Sequence, residues 1–440
     1  MIRGLLKQRG RVLLGFFLIA GPGWARKPPP KPLPIKLTAK ISNRFNWDFK
    51  KDNLLEDTSQ TNTEMIAQAK YLPNPRVQVV VGEWMVDNDL RPYNMYLNLS
   101  SDHVNFRLGN QIVRWGKADE ISPLDVLNPE DLTLGFNRVR ADRKIPVPMA
   151  NLEFLSDAIS LQGVFIPFFE KSIFKYTGDD WAYFDHLEKK YGPINIIEQE
   201  PAQTMKDAGY GGRLSGALGR FDLAFSYLNH RRDIPTLVGF PIGPPVVPGQ
   251  VGGIEDLVKF SKFGFPPFIP PQPIQFRYDR EERYGFEFET TAGSFGLRGD
   301  LSYVSSQSFT TQNLQEQWKP VITAVGGMDY SGPAGSYINV SVSQTQIRDY
   351  DPILAPTEEK TTTLSAQFSL ELMSGNVKLS YLGYMNVTDK SYYHNPKVNI
   401  GYIPNIGIEV GVDIYGGPSY SQTGFFGNND QAYLALKYFF

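Results

Sequence analysis

Charge recurs at every second position along several extended stretches of this chain. Glu287 and Glu289 form one such pair and Arg298 and Asp300 another, while Arg107 and Gln111, four apart, share a face upstream. Side chains in a strand alternate between faces, so residues two apart share a face. Paired carboxylates at that spacing could do acid–base work. Polar residues repeated along one strand face more simply line a watery lumen. A second concentration runs through Asp119, Glu120, Asp125, Glu130 and Asp131, then Arg138, Arg140, Arg143 and Lys144. Acids and bases opposed in one loop could narrow a pore and tune its ion selectivity. Other chemistry lacks its parts. The chain has no Cys, and His103, His186, His230 and His394 show no metal-ligand spacing. No nucleophile motif, P-loop or dinucleotide fingerprint is present. The reading is therefore not an enzyme, with no catalytic residue, metal or cofactor.

The elements that would position these charges are strands. Phe221, Leu223, Phe225 and Tyr227 alternate with Asp222, Ala224 and Ser226. Phe295, Leu297, Leu301 and Tyr303 alternate with Gly296, Arg298, Asp300 and Ser302, and Ile406, Ile408, Val410 and Val412 with Gly407, Glu409 and Gly411. Each run is about the length that a tilted membrane-spanning strand needs. The other faces supply further lumen charges: Glu153, Arg213, Arg283, Glu371, Lys378, Lys397, Asp413 and Lys437. Only 41% of the chain is hydrophobic and 13% is aromatic, with formal net charge −2. That composition excludes a helical membrane protein, and it shows no basic excess for nucleic acid.

Residues 1–25 start with Arg3, Lys7, Arg9 and Arg11, continue with a short apolar run and end in Gly23-Trp24-Ala25, the pattern of a signal peptide. Residues 26–36 are proline-rich and read as a periplasmic lead-in. Residues 37–440 read as one barrel domain. Tight turns near Ser101, Ser156, Gly219, Gly293, Pro333, Ser374 and Asn405 alternate with long links at 115–145, 167–207, 230–282, 305–320, 346–360, 386–395 and 416–430. Short periplasmic turns alternating with long extracellular loops are a property of outer-membrane barrels. Both chain ends must then lie on one side, so the strand number is even. Residues 38–48 would form the first strand, and residues 77–86 are left out of the wall to keep parity. The estimate is about 16 strands, within 14–18. Apolar Trp115, Ile121, Leu124, Val126 and Leu127 in the charged loop favour folding it inward.

Residues 103–131 contain Arg107, Leu108, Gly109, Gln111, Trp115, Gly116, Asp119, Asp125, Asn128, Pro129 and Asp131. This pattern resembles a proteobacterial outer-membrane, porin-like barrel family known as domain of unknown function 1302, with distant motif similarity to alginate-export-type barrels. Asn110 stands where the family usually has Arg. The terminal strand, through Tyr438 and Phe440, likewise resembles the closing strand of outer-membrane barrels. That implies Tyr438 and Phe440 as the signal read by the barrel-assembly machinery.

The resemblance implies a transmembrane antiparallel β-barrel, all-β, in the outer membrane of a Gram-negative bacterium. The expected function is a porin-like channel for passive passage or export of an unnamed solute. The expected constriction is formed by Arg107, Gln111, Asp119, Asp125, Glu130, Asp131, Glu287, Glu289, Arg298 and Asp300, with the loop acids set against wall arginines such as Arg107 and Arg298. Expected partners are outer-membrane lipid and the assembly machinery. The alternative is a sheath that holds a partner, such as a periplasmic protein or an electron-transfer cytochrome, across the membrane.

Overall fold

The structure, a computed structural model, describes residues 34–49, 59–87, 89–133, 138–178, 181–185, 188, 193–239, 273–311, 316–333, 335–354, 357–418 and 421–440. The expected signal peptide and nearly all of the proline-rich lead-in lie outside the described residues, as does His186. The chain divides into residues 1–35 and 36–440, and the second unit holds the fold described below.

Strands dominate it. In order they are β1 Ile35–Asp48, β2 Ser59–Asn74, β3 Val77–Val86, β4 Asp89–Pro92, β5 Met95–Ser100, β6 Val104–Gln111, β7 Val147–Leu155, β8 Ile159–Ile166, β9 Ile196–Gln199, β10 Gly209–Leu218 and β11 Phe221–Arg231. There follow β12 Thr236–Gly239, β13 Ile274–Arg277, β14 Arg280–Ala292, β15 Phe295–Thr310, β16 Glu316–Ser331, β17 Tyr337–Ile347, β18 Lys360–Leu372, β19 Val377–Asn386, β20 Ser391–Ile400, β21 Ile406–Gly416 and β22 Gln431–Phe439.

All but β9, β12 and β13 join one closed antiparallel sheet. β4 and β5 pair with the two halves of β3 and act as one wall strand broken at Tyr93-Asn94, so the barrel has 18 strands. Closure is made by β1 against β22, in register from Lys40 opposite Phe439 to Asp48 opposite Gln431. The Phe440 N–H donates to the Ala39 carbonyl at 2.8 Å. Closure leaves no free sheet edge, as a hydrocarbon surrounding demands. β12 and β13 pair antiparallel, β13 and β9 parallel, in a separate small sheet.

Two strands correct the estimate of about 16. β2 and β3 both belong to the wall, and β2 pairs with β1 and β3. Adding both keeps the number even, so parity alone could not expose the omission. The β2 outward face is Met65, Ala67, Ala69 and Tyr71, with only alanines at its middle and Ile66 on the opposite face, so the apolar stripe is weak. β3 hides its alternation differently, because inward-facing Val80, Trp84 and Val86 are as apolar as the outer valines and are buried. The links expected at 305–320 and 386–395 are mostly strand: β15 runs to Thr310, β16 starts at Glu316, and β20 starts at Ser391.

The outward face is apolar where strands alternate. Leu97, Leu108, Leu161, Leu214, Phe225, Leu297, Leu301, Val340 and Val410 are all exposed. Tyr227, Tyr284 and Tyr303 lie side by side on neighbouring strands, with ring centroids 5.2 and 6.1 Å apart. At the other end Phe295 meets Tyr330 at 5.0 Å. Phe295 and Tyr303 belong to one strand, so the two aromatic rows are about 26 Å of chain apart. Rows at both edges of an apolar band mark the membrane interfaces of such barrels. Leu301 lies within that band. Leu301→Arg should therefore cost about 2 kcal/mol, below the midplane maximum because the site is off centre. Urea unfolding in liposomes checks this; a cost no greater than that of an outward polar change beyond the aromatic rows would refute the facing.

Candidate pore constriction

Residues 112–133 and 138–146 follow β6 and fold into the barrel. The roots of this loop are fixed by two side chains. Gln111, fully buried, donates through Nε2 to the Met149 carbonyl at 2.8 Å. Asn128 accepts the Val113 N–H at 2.8 Å and donates to the carbonyls of Gln111 and Ile145, each at 2.9 Å. One amide thus joins both arms of the loop, satisfying backbone groups that would otherwise be buried without partners. Apolar contacts finish the base. Val113, Trp115, Leu124 and Leu127 pack on Val147, Met149, Val164, Ile166 and Leu228 of the inner wall. Two glycines make room: a Cβ on Gly211 would come within 3.0 Å of the Trp115 ring, and one on Gly285 within 2.7 Å of Leu124. The Trp115 Nε1 donates to Gln162 at 2.8 Å.

The far side of the loop is pinned to β14 and β15. Asp300, only 3% exposed, accepts the backbone N–H groups of Lys117 at 2.8 Å and Ala118 at 3.0 Å. Gly116 precedes them at φ +93, and a Cβ there would lie 1.9 Å from Ser122 Oγ and 2.9 Å from the Asp300 carboxylate. Only glycine combines that backbone angle with that approach. Lys117 Nζ reaches Glu289 at 2.8 Å. Arg298 holds Asp119 at 3.0 Å and Asp329 at 2.6 Å. Arg283 donates to the Pro123 carbonyl at 3.0 Å. Across the lumen, the Tyr384 hydroxyl donates to Glu120 at 3.1 Å.

Of the expected residues, Asp119, Glu289, Arg298 and Asp300 are brought together at the wall. Glu287 faces the same lumen but pairs with Arg213, at 2.8 Å. Asp125 and Glu130 depart from the expectation that the loop acids face wall arginines, whereas Asp131 meets one on β4. Asp125 and Glu130 are held by cations of their own loop: Arg114 meets Asp125 at 2.8 Å, Arg140 meets Glu130 at 2.7 Å, and Lys144 lies 3.4 and 3.2 Å from the two. Asp131 pairs with Arg91 at 2.8 Å. Asp125 and Asp131 are buried, so they act within the fold of the loop rather than on a water-filled surface. Arg107 faces no loop acid; its guanidinium stacks 4.7 Å from the Tyr96 ring.

This cluster resists acid. Burial alone would raise the Glu130 carboxyl, but Arg140, Lys144 and Arg143 outweigh it and hold the group at about 2, below its ordinary 4.5. A carboxyl depressed on folding stabilises fully above its unfolded value and loses that contribution as the pH falls through the folded one. The loop should therefore keep its protease resistance from neutral pH to about 4.5, weaken progressively below that, and lose this support near 2. Limited proteolysis with an acid-active protease measures it; a midpoint at or above 4.5 would contradict the cluster.

Because the loop is fastened toward β8–β15, space remains on its other side. One cavity of about 100 Å³ lies between Arg138, Val139 and Asp142 of the loop and a wall of β1, β2, β20, β21 and β22. A second, of about 220 Å³, is bounded by Glu120, Ile121 and Arg143 on the loop side and by Tyr384 and Tyr393 on the wall. Arg138 borders both.

Sequence reasoning missed a further element of the lumen. Trp181, Tyr183 and Phe184, from the link after β8, join Phe276, Tyr393, Tyr415 and Phe426 in one buried aromatic cluster. Trp181 lies 5.4 Å from Tyr415 and 5.3 Å from Phe426. The signal was the run Trp181-Ala182-Tyr183-Phe184, too apolar for a solvated loop.

The family model described as "Protein of unknown function (DUF1302)" matches residues 87–428. No curated protein matches the sequence. Among solved structures, Pseudomonas aeruginosa OpdQ aligns with 92% of this chain and 98% of its own length at 11% identity, with a TM-score of 0.49. Pseudomonas aeruginosa OccK5 (OpdH) covers 92% and 97% at 9% identity and 0.47. The outer membrane channel DcaP of Acinetobacter baumannii covers 92% and 97% at 10% identity and 0.42.

Proposed function

This chain belongs to the DUF1302 family and forms a porin-like barrel, and we propose that it is a passive channel in the outer membrane of a Gram-negative bacterium. The observation that carries the reading is the asymmetric loop. The described loop residues take their apolar base and most of their backbone anchors from one side of the inner wall, reach the other through Glu120, Arg138 and Asp131, and leave a polar gap there. A loop that only closed the barrel would not need such unequal anchoring. Solutes pass by diffusion, and the chain needs no cofactor and performs no reaction. The outward apolar band contacts lipid, and the short turns share the periplasmic side with both ends of the barrel. The closing strand engages the barrel-assembly machinery through Tyr438 and Phe440, which are exposed with ring centroids 4.4 Å apart.

A sheath around an electron-transfer protein is disfavoured because the chain's own loops occupy part of the lumen. Planar-bilayer recording of the purified barrel separates the two. Discrete conductance steps without any added partner are expected; a non-conducting barrel that co-purifies with a periplasmic protein would favour the sheath.

A further inference from the structure

The two cavities beside the inward loop differ in character. In the smaller, Glu64 is shared by two cations, Lys40 at 3.4 Å and Arg138 at 3.6 Å. Glu409 is shared likewise by Lys437 at 2.8 Å and Lys397 at 4.0 Å. Arg44 is paired with Asp413 behind it and lies 3.5 Å above the Tyr433 ring. Asp142 is the one other acid among the described lining residues. Four cations therefore share three carboxylates in a narrow, low-dielectric gap, where each excess charge acts strongly. Lys397 is the longer-held of its pair, Lys40 is the more exposed of its own, and both keep partial access to water.

The larger cavity is aromatic. Tyr384 and Tyr393 stack at 6.1 Å with their rings 17° apart, and Ile121 faces them on the loop side between Glu120, which the Tyr384 hydroxyl holds, and Arg143. Arg138 borders this cavity and also the cationic one. A molecule with a flat apolar body and one anionic end would meet both surfaces at once, its ring against the tyrosines and its charge toward Arg138 and the lysines. Inorganic anions would use only the second surface, and neutral aromatics only the first.

Resting on the channel reading above, we infer that the gap selects small organic anions with an apolar ring, the aromatic monocarboxylates as a class. Benzoate is the probe. In planar bilayers under a KCl gradient, the reversal potential should show chloride favoured over potassium. Benzoate should slow the chloride current at concentrations where acetate and benzyl alcohol do not. The Lys40→Gln/Lys397→Gln double variant keeps Arg138 on Glu64 and Lys437 on Glu409, so it should fold; it should lose the chloride preference. Tyr384→Ala should leave ion preference intact and weaken benzoate block about two- to tenfold, the range of one aromatic contact. Heat-modifiable migration confirms that each variant is folded. Cation preference in the parent, or equal block by benzoate and acetate, overturns the inference while leaving the channel standing. A parent that conducts nothing overturns both.

Discussion

Lys144→Met should loosen the inward loop at a cost of roughly 3–5 kcal/mol, the penalty for removing one partner from a buried ion cluster. The Lys144 side chain is 1% exposed. Its ammonium donates to the carbonyls of Asp125 at 2.7 Å and Asn128 at 3.0 Å and faces the carboxylates of Asp125 and Glu130. Methionine fills a similar volume and supplies none of these donors. Asp125, itself 1% exposed, would keep Arg114 but lose its most buried cation. The barrel wall does not depend on this contact, so the variant should still insert and migrate as a folded barrel. The loop should become protease-sensitive and the single-channel conductance should rise. Parental protease resistance and conductance in the folded variant would show that the cluster does not hold the loop.

Asp300→Ala should act at the opposite end of the same loop. Its carboxylate accepts two backbone N–H groups, and each such buried donor left without a partner costs roughly 1–3 kcal/mol. What remains on β14 and β15 is the Lys117–Glu289 and Arg298–Asp119 pairs, both partly exposed and therefore weak, and the Arg283 bond to the Pro123 carbonyl. The loop should swing from β15, widening the passage, and conductance should increase with larger current fluctuations. Asp300→Asn keeps one acceptor oxygen and should fall between. If Asp300→Ala conducts like the parent, the loop is held by its other anchors and the carboxylate is incidental.

The parts of this molecule that were legible beforehand follow one rule of contrast. β11, β15 and β21 alternate strongly, because an apolar membrane lies on one side and a polar lumen on the other. β3 has apolar neighbours on both faces, with Trp84 buried inside the lumen, and without β2, whose pattern is weak, it makes the strand number odd. The inward course of residues 112–146 could be inferred from Trp115, Leu124 and Leu127, whose apolar surface had to be covered. The partners of its charges could not. Whether Asp125 pairs with Arg114 nearby or Arg107 on the wall depends on the path of the backbone, which spacing alone does not carry. The glycine of the Trp115-Gly116 pair is explained only by the fold, through the carboxylate of Asp300 that approaches it.

The central claim is that solutes pass between the inward loop and the wall of β20–β22. The chain has no cysteine, so single cysteines can be placed without background. Lys397→Cys puts a thiol in the gap, and Leu301→Cys puts one on the lipid face. A water-soluble, charged methanethiosulfonate reagent added during bilayer recording should change the current through Lys397→Cys and leave Leu301→Cys unaffected. No response at Lys397→Cys, in a channel that conducts and whose thiol is shown by mass spectrometry to have reacted, would contradict this route.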